Sequence, residues 1–223
     1  MTAAAPVAHF TYQHRTLTPA TITNARSETF GWTCSAQGCP VRMDGYGDQR
    51  ASRKDAADHE RRQAVALFEP GTLVVSVGPG GSGKSRFAAM FPSHWVVCLD
   101  ELRERVSGEA GDQSATPNAV ALQDVLIPAR LARGLTTVVD STNGEVRVRR
   151  GLVDQARQHG RPVAAVVFLT DLDTCEARNA QRPPGRRVPS PVLRRQHAQT
   201  LAAMPLLTDE GFTDIRTVGG DRS

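Results

Sequence analysis

The sequence has little of what marks an exported or membrane-spanning protein. No stretch approaches the roughly 18 consecutive apolar residues of a membrane span, and residues 1–10 lack a charged start followed by an apolar block. Cysteine is scarce, with four in 223 residues. Without an export signal, cysteines are more often thiols or metal ligands than disulfides. We therefore expect a cytoplasmic chain without membrane contacts.

Lysine is nearly absent as well. Of the 27 basic residues only two are lysines, and one of these is Lys84. Arginine suits bidentate contacts with phosphate, and its position along the chain is more informative than its number. Between Arg178 and Arg195 the sequence has six arginines and no acidic residue, which predicts a local positive surface.

The composition suits one domain of ordinary size with an appendage. At 223 residues, of which 39% are hydrophobic, the chain can bury a core of its own. Residues 70–223 alternate between apolar runs and helical patterns, whereas residues 1–69 contain short β-like stretches followed by one polar helix. We therefore predict a small N-terminal module over residues 1–69 and a larger α/β domain over residues 70–223.

A phosphate-binding loop is the most specific local feature. Residues 78–85 read GPGGSGKS, an unbroken G-x-x-x-x-G-K-[ST] pattern, directly after the apolar run 72–77. Its glycines let backbone N–H groups turn towards an anion, and a helix that begins near Lys84 adds its dipole to the same site. Lys84 would reach the β- and γ-phosphates of a nucleotide, and Ser85 would hold Mg²⁺. The residues predicted to form this nucleotide site are Gly78, Gly80, Gly81, Ser82, Gly83, Lys84 and Ser85.

The pattern after this loop predicts a mainly parallel sheet flanked by crossover helices. The predicted strands are residues 94–99, 135–139, 163–169 and 213–218. The predicted helices are residues 118–133, 145–159, 173–181 and 191–204. Ligands of open parallel sheets bind beyond the carboxyl ends of the strands. Asp100 and Asp140 follow two of the predicted strands, so we expect both carboxylates beside the phosphate-binding loop.

The N-terminal module resembles a ββα zinc finger. β-like stretches occur at residues 16–23, 29–33 and 41–43, and Ser52 is expected to cap a polar helix that runs towards Phe68.

Three residues of this module form a candidate metal site. Cys34 and Cys39 bracket a tight turn, and His59 falls on the helix. Two thiols and one imidazole are one ligand short of a closed tetrahedral zinc site, because residues 63–65 contain no second histidine. Either His9 or His14 supplies the fourth ligand, or the module packs without metal.

Four further segments accompany the loop and make it more specific. They read LDELR at 99–103, GDQ at 111–113, VVDSTN at 138–143 and CEARNAQR at 175–182. Together with the loop, they resemble the 5′-hydroxyl polynucleotide kinase family, and most closely the kinase module of bacterial Pnkp end-healing proteins, over residues 73–218. The resemblance implies a P-loop kinase fold with an arginine lid, and it implies ATP and Mg²⁺ as ligands.

The resemblance also assigns roles to residues. It implies Asp100 as the general base for an attacking hydroxyl, while Arg103, one helical turn later, would hold the acceptor's phosphodiester. Arg178 and Arg182 lie on one helical face before a Pro-Pro-Gly break, so they would act with Lys84 on the transferring phosphoryl group. The residues assigned to acceptor binding are Arg103, Asp112, Gln113, Asp140, Thr142 and Asn143.

One departure from the family pattern affects the lid. The segment after Arg182 is one residue longer than the family pattern, which leaves open whether Arg186 or Arg187 faces ATP.

We therefore expect transfer of the ATP γ-phosphate to 5′-hydroxyl ends of DNA or RNA. Two alternatives stay open: a P-loop kinase for a small-molecule hydroxyl such as a sugar, nucleoside or antibiotic, and a nucleic-acid-binding adaptor that uses nucleotide as a switch. Because the chain ends soon after the kinase-like region, we expect any phosphatase or ligase activity of such a repair process to reside in separate proteins.

Overall fold

The computed structural model of the chain describes residues 30–34 and 39–219 in full, and residues 7–9 and 15–16 by their backbone. The chain divides into two compact units. The larger unit contains residues 1–10 and 68–223, and the smaller contains residues 11–67. Among the described residues, no helix is long and apolar enough to cross a bilayer.

The larger unit contains strands and helices in alternation. Its strands are β1 (Val7–His9), β5 (Leu73–Val77), β6 (Val96–Cys98), β7 (Thr137–Asp140), β8 (Val163–Phe168) and β9 (Asp214–Val218). Its helices are α2 (Lys84–Ala88), α3 (Leu99–Ser107), α4 (Thr116–Ala132), α5 (Val146–Gln158), α6 (Leu172–Ala180), α7 (Ser190–Ala203) and α8 (Leu207–Glu210).

The described strands of this unit form one parallel sheet in the order β1-β9-β8-β5-β7-β6. Strands β5 and β8 consist of fully buried residues, as expected for central strands covered on both faces. The chain runs from β5 out to the edge strand β6, returns through β7 and then crosses to β8 on the other side of β5. The carboxyl end of β5 is therefore the point where strand order reverses, which is where open α/β sheets bind ligands.

Helices pack against the sheet and bury a large apolar cluster. Leu73, Ile127, Leu131, Leu152 and Ile215 are buried there together. The helical periodicity of α5, which buries Leu152 and the residues one turn away, explains why this segment lies against the sheet. The prediction of a mainly parallel sheet flanked by helices is confirmed.

One predicted strand is wrong at both of its ends. The prediction placed a strand over residues 94–99, but Ser93–Trp95 form a short 3-10 turn and β6 contains only Val96–Cys98. Helix α3 begins at Leu99, so Asp100 lies in the first turn of a helix rather than at a strand end. A carboxylate at that position also interacts favourably with the positive end of the helix dipole.

The smaller unit is a three-stranded antiparallel sheet followed by one helix. Its elements are β2 (Arg15–Thr16), β3 (Phe30–Cys34), β4 (Arg42–Tyr46) and α1 (Gln49–Ala66). The predicted capping by Ser52 is wrong: that residue is buried within α1, and the carboxylate of Asp48 accepts a hydrogen bond from the backbone N–H of Arg50 at 2.7 Å. The remainder of the predicted stretch 16–23 lies outside the described residues.

The division of the chain differs from the predicted boundary between residues 69 and 70. The structure places residues 1–10 with the larger unit, because β1 pairs with β9 and Val7 lies opposite Ile215. A pairing between the two ends of the chain leaves no local signal in either segment.

Candidate active site

The phosphate-binding loop connects β5 to α2 and depends on glycine at two positions. Gly81 and Gly83 have φ angles of +79° and +106°, in the region that side chains disfavour. A Cβ at Gly81 would also lie 2.6 Å from the carbonyl oxygen of Cys175 on α6. The loop therefore packs against α6 so closely that only glycine fits.

Lys84 is buried at the start of α2, with its ammonium group folded against the loop. Its Nζ donates a hydrogen bond to the carbonyl oxygen of Pro79 at 2.7 Å. Burial lowers the pKa of the Lys84 ammonium to about 8, while the nearby carboxylate of Asp140 acts in the opposite direction. A phosphate beside this group would favour its charged form.

A cavity of about 660 Å³ lies beyond the carboxyl ends of β5, β6 and β7. It brings together most of the side chains that the sequence placed in an active site. The predicted residues that line it are Gly80, Lys84, Ser85, Asp100, Arg103, Gln113, Asp140, Thr142 and Arg182. Both Arg186 and Arg187 line it as well. Residues predicted to bind the nucleotide and residues predicted to bind the acceptor therefore line the same cavity.

Asp100 lies between two arginines in this cavity. Arg103 is buried, donates from Nε to the carbonyl oxygen of Ala110 at 3.0 Å, and donates from Nη2 to Oδ1 of Asp100. Nη2 of Arg186 lies 3.7 Å from Oδ2 of the same carboxylate. Arg103 is thus fixed by two contacts, whereas Arg186 extends from the exposed lid with 58% of its side chain accessible.

The lid is residues 181–189, between α6 and α7, and its two ends are tied together. The side chain of Asn179 donates to the carbonyl oxygen of Val188 at 2.8 Å and accepts from the N–H of Val188 at 2.9 Å. Arg187 Nε donates to the carbonyl oxygen of Arg182 at 2.8 Å. These bonds hold the lid as a closed loop above the phosphate-binding residues.

Seven residues predicted for the site do not line the cavity, and four of them, Gly78, Gly81, Ser82 and Gly83, belong to the phosphate-binding loop itself. The other three are Arg178, Asp112 and Asn143. Arg178 is exposed and donates from Nη1 to the carbonyl oxygen of Gly81 at 3.2 Å, so it contacts the loop from outside. Asp112 accepts hydrogen bonds from the N–H and hydroxyl of Ser114, which makes it the cap of a short 3-10 turn. Hydrogen bonding to Ser114 also lowers the pKa of Asp112.

Asn143 is the third of these residues. It is buried, has a φ of +46°, and donates from Nδ2 to the carbonyl oxygen of Ser76 on β5 at 2.7 Å. Next to it, the N–H of Gly78 donates to the carbonyl oxygen of Thr142 at 3.0 Å. Asn143 therefore supports the base of the loop from the neighbouring strand.

Two residues that the sequence reasoning did not select belong to the site. Gln196 on α7 accepts a hydrogen bond from the N–H of Gly80 at 3.0 Å and lines the cavity. No local motif marks Gln196, because its partner is distant in the sequence. Cys98 also lines the cavity, and burial raises the pKa of its thiol to about 11, so the thiol is protonated at neutral pH. Its position at the end of β6 is a signal that could have revealed it.

A second contact joins the lid to the segment after α3. The backbone of Gly111, after α3, lies against the carbonyl oxygen of Gly185 in the lid, and a Cβ at Gly111 would clash with that oxygen. Both residues line the cavity. The segment after α3 and the lid therefore meet at the wall of the cavity.

The donor set near the loop suits a nucleotide with Mg²⁺. The N-terminus of α2 and the loop N–H groups favour an anion. The loop also packs closely at Gly80, where a Cβ would lie 3.2 Å from Val188 and 3.3 Å from Leu193. The exposed hydroxyl of Ser85 and the carboxylate of Asp140 both border the cavity, and hydroxyl and carboxylate oxygens are the ligands that Mg²⁺ takes in proteins.

The smaller unit brings its candidate metal ligands together. The ligand atoms of Cys34, Cys39 and His59 all lie within 4.8 Å of one another. The side chain of His9 and the whole of His14, which were considered as fourth ligands, lie outside the described residues.

Comparison with known sequences identifies the family of the larger unit. The sequence profile of the AAA_33 family, described as an AAA domain, matches residues 73–207. This is more than half of the chain, and the chain therefore belongs to that family. No curated protein sequence matches the chain.

Solved structures align with this chain at low sequence identity. A chain of the AvrRxo1-ORF1:AvrRxo1-ORF2 complex with sulphate ions aligns with a TM-score of 0.51 and 18% identity, covering 74% of this chain and 60% of that one. The same complex with ATP aligns at 0.47 and 18% identity, over 72% and 58%. Shikimate kinase from Acinetobacter baumannii in complex with shikimate aligns at 0.42 and 15% identity, over 72% and 89%.

Together, the family match and the fold likeness define the larger unit as a P-loop kinase-like domain, as predicted. The chain spans about 60% of the length of the first of these structural relatives.

Proposed function

We propose that the larger unit transfers the γ-phosphate of ATP to the 5′-hydroxyl end of a DNA or RNA strand. The observation that carries the proposal is the pairing of Asp100 with the buried Arg103 in the same cavity as Lys84 and Ser85. A carboxylate held beside a fixed guanidinium, facing a phosphate-binding loop, is what a kinase for a phosphodiester-bearing acceptor requires.

The proposed reaction uses these groups as follows. Asp100 accepts the proton of the acceptor hydroxyl while the hydroxyl oxygen forms a bond to the γ-phosphorus of ATP. The bond between that phosphorus and the β–γ bridging oxygen breaks, which releases ADP. Lys84 and Arg182 face the charge that develops on the phosphoryl oxygens. When bound through Ser85 and Asp140, Mg²⁺ supplies further charge neutralisation at the phosphates.

A polymer end is favoured by the arrangement of arginines. Arg103 cannot move far, because its guanidinium is bonded to both Asp100 and the carbonyl oxygen of Ala110. A fixed guanidinium one helical turn from the base suits a phosphate at a constant distance from the reacting hydroxyl, as in the first nucleotides of a strand. Arg186 adds a second positive group on the same side.

A second candidate is phosphorylation of a small-molecule hydroxyl. It is favoured by the contact between Gly111 and Gly185, which joins the lid to the segment after α3 where both residues line the cavity. A lid held in this way leaves more room for a sugar or nucleoside than for the end of a strand, unless the lid opens to admit the polymer.

Transfer of labelled γ-phosphate to a panel of acceptors separates these functions. The panel contains 5′-hydroxyl DNA, 5′-hydroxyl RNA, nucleoside 3′-monophosphates and free sugars, each with ATP and Mg²⁺. The proposal expects labelling of the oligonucleotides and, more weakly, of the nucleoside 3′-monophosphates. Labelling of sugars alone would favour the second candidate, and labelling of none of the acceptors would contradict both.

A further inference from the structure

We propose that Cys34, Cys39 and His59 bind a zinc ion in the smaller unit, as a structural site separate from the nucleotide chemistry. The proposal does not depend on the proposed kinase activity, since all three residues belong to the unit of residues 11–67.

The distances between the ligand atoms fit a tetrahedral ion. With Zn–S bonds of about 2.3 Å and Zn–N bonds of about 2.0 Å, a tetrahedral angle places sulfur and nitrogen about 3.5 Å apart. Sγ of Cys39 and Nε2 of His59 lie 3.5 Å apart, and all three ligand atoms lie within 4.8 Å of one another. One ion can therefore contact all three with little movement.

The fold presents the three residues from two sides. Cys34 ends β3, and its N–H donates to the carbonyl oxygen of Val41 at 2.9 Å, which brings the end of β3 close to the residue before β4. His59 is buried on α1, and its Nε2 lies 3.5 Å from Sγ of Cys39. An ion bound by these residues would therefore link the end of β3 to α1.

A set of neighbouring contacts holds the helix and the hairpin in this position. The indole of Trp32 stacks against the His59 ring at 4.9 Å between centroids. Nε1 of Trp32 donates to Oδ2 of Asp55 at 3.0 Å, and the hydroxyl of Tyr46 donates to the same oxygen at 2.6 Å. Ordered surroundings of this kind orient metal ligands in proteins.

The core of the smaller unit gives a second reason for metal. Among the described residues its buried apolar cluster contains only Trp32, Cys34 and Ala56, with Cys39, Val41 and Tyr46 packed against it. Units of this length bury a limited core and are often stabilised by disulfides or metal. No disulfide joins two of the described cysteines, and metal binding is the means that fits this unit.

The donor chemistry selects the ion. Two thiolates and one imidazole are soft ligands, which favour zinc over Mg²⁺ or Ca²⁺. Three protein ligands leave a fourth coordination position, which a water molecule can fill. The same 3.5 Å separation also fits a hydrogen bond between the Cys39 thiol and the imidazole, so the experiment must distinguish a metal site from that bond.

Metal content is the first test. The full chain, purified without chelator and dialysed, is expected to contain about one zinc ion per chain, and the Cys39→Ala variant is expected to lose it. Cys98→Ala is the matched control, because Cys98 is a partly buried cysteine outside the cluster. The control should retain its zinc.

Thiol alkylation tests the zinc site in the wild-type chain, so its result does not depend on whether the variants fold. Metal-free protein is treated with an alkylating agent with and without added zinc chloride, and the modified cysteines are identified by mass spectrometry. Zinc is expected to protect Cys34 and Cys39 while leaving the modification of Cys98 unchanged.

Two outcomes would overturn the zinc site. One is wild-type protein that neither contains nor takes up stoichiometric zinc; the other is equal alkylation of Cys39 with and without zinc. Either outcome would assign the cluster to the thiol–imidazole hydrogen bond and would leave the proposed kinase activity untouched.

Discussion

Arg186 of the lid reaches the carboxylate of Asp100, with 3.7 Å between Nη2 and Oδ2. The other oxygen of the carboxylate accepts from Arg103, which is buried and fixed by Ala110. In the proposed reaction Oδ2 is the oxygen that an acceptor hydroxyl would approach, and the exposed Arg186 is the partner that would have to move. Arg186 and Arg187 both line the cavity. Arg186 lies beside Asp100, while Arg187 bonds back to the carbonyl oxygen of Arg182.

In the proposed reaction Arg186 leaves Asp100 and contacts a phosphate of the acceptor, so replacing Arg186 should weaken binding of the acceptor. We expect Arg186→Ala to raise the KM for a 5′-hydroxyl oligonucleotide about tenfold, because a hydrogen bond to a charged group contributes about 1.5–3 kcal/mol. The Kd for ATP should stay nearly unchanged. Arg187→Ala is the matched control, with a smaller effect on the acceptor KM. An Arg186→Ala enzyme that loses ATP affinity instead would place this residue on the donor side.

The contact between Gly111 and Gly185 predicts unequal effects of two similar substitutions. A Cβ at Gly111 would clash with the carbonyl oxygen of Gly185, whereas a Cβ at Gly185 meets nothing within 4 Å. Gly111→Ala should therefore push the lid away and lower kcat/KM, while Gly185→Ala should leave it close to the wild-type value. Steady-state kinetics of both variants test this, and equal activities would show that the contact has no part in catalysis.

The pKa of Lys84 predicts a pH dependence of ATP binding. Because burial lowers this pKa to about 8, part of the protein carries a neutral amine at pH 8. ATP phosphates favour the ammonium form, so binding takes up protons at this pH, and affinity falls as the pH rises through 8.

Calorimetry checks the proton uptake at pH 8 in two buffers that differ in ionisation enthalpy. The observed heats of ATP binding should differ between the buffers at pH 8, and the difference should shrink at pH 7, where the amine is already protonated. Identical heats in both buffers at pH 8 would contradict the assignment.

A buried ion pair links the loop after β7 to α8. Arg149 donates to both carboxylate oxygens of Glu210 at 2.7 and 2.6 Å, and to the carbonyl oxygens of Asn143 and Gly144 at 3.1 and 2.7 Å. Both side chains are only 1% exposed. Arg149 thus stabilises the segment that supports the base of the phosphate-binding loop.

Removing one partner should cost much of the fold's stability. We expect Glu210→Ala to lower the free energy of unfolding by about 3–5 kcal/mol, because it leaves a buried guanidinium without its counter-charge. The exposed pair of Asp154 and Arg157 provides the control, with side chains 58% and 66% accessible. Asp154→Ala should change stability by less than about 1 kcal/mol. Chemical denaturation measures both, and similar losses would contradict the argument.

What the sequence could predict depended on how local each feature is. Neighbouring residues determine both the loop of residues 78–85 and the alternation of apolar runs with helical patterns. These local features therefore predict the parallel sheet and the nucleotide-binding residues. The convergence of strand ends in a parallel sheet predicts Asp100 and Asp140 beside the loop, and the family resemblance adds Arg103. All three line one cavity with Lys84.

The remaining features depend on contacts between distant parts of the chain. The bond from Gly80 to Gln196, the ion pair of Arg149 with Glu210, and the pairing of β1 with β9 join segments far apart in sequence, and no local pattern encodes them. Capping of α1 by Asp48 differs from these contacts because it is local. An aspartate directly before a helix is a recognisable capping signal, and it indicates Asp48 rather than Ser52.

The role of Asp100 is the central claim, and one comparison tests it directly. Transfer of labelled γ-phosphate to a 5′-hydroxyl oligonucleotide is measured for the wild type, Asp100→Asn and the exposed control Asp124→Asn, with the Kd for ATP determined for each. We expect Asp100→Asn to lose roughly 10²- to 10⁴-fold in transfer rate with nearly unchanged ATP affinity, because a general base contributes about that factor, and Asp124→Asn to match the wild type. An Asp100→Asn enzyme that labels the oligonucleotide at the wild-type rate would contradict the account.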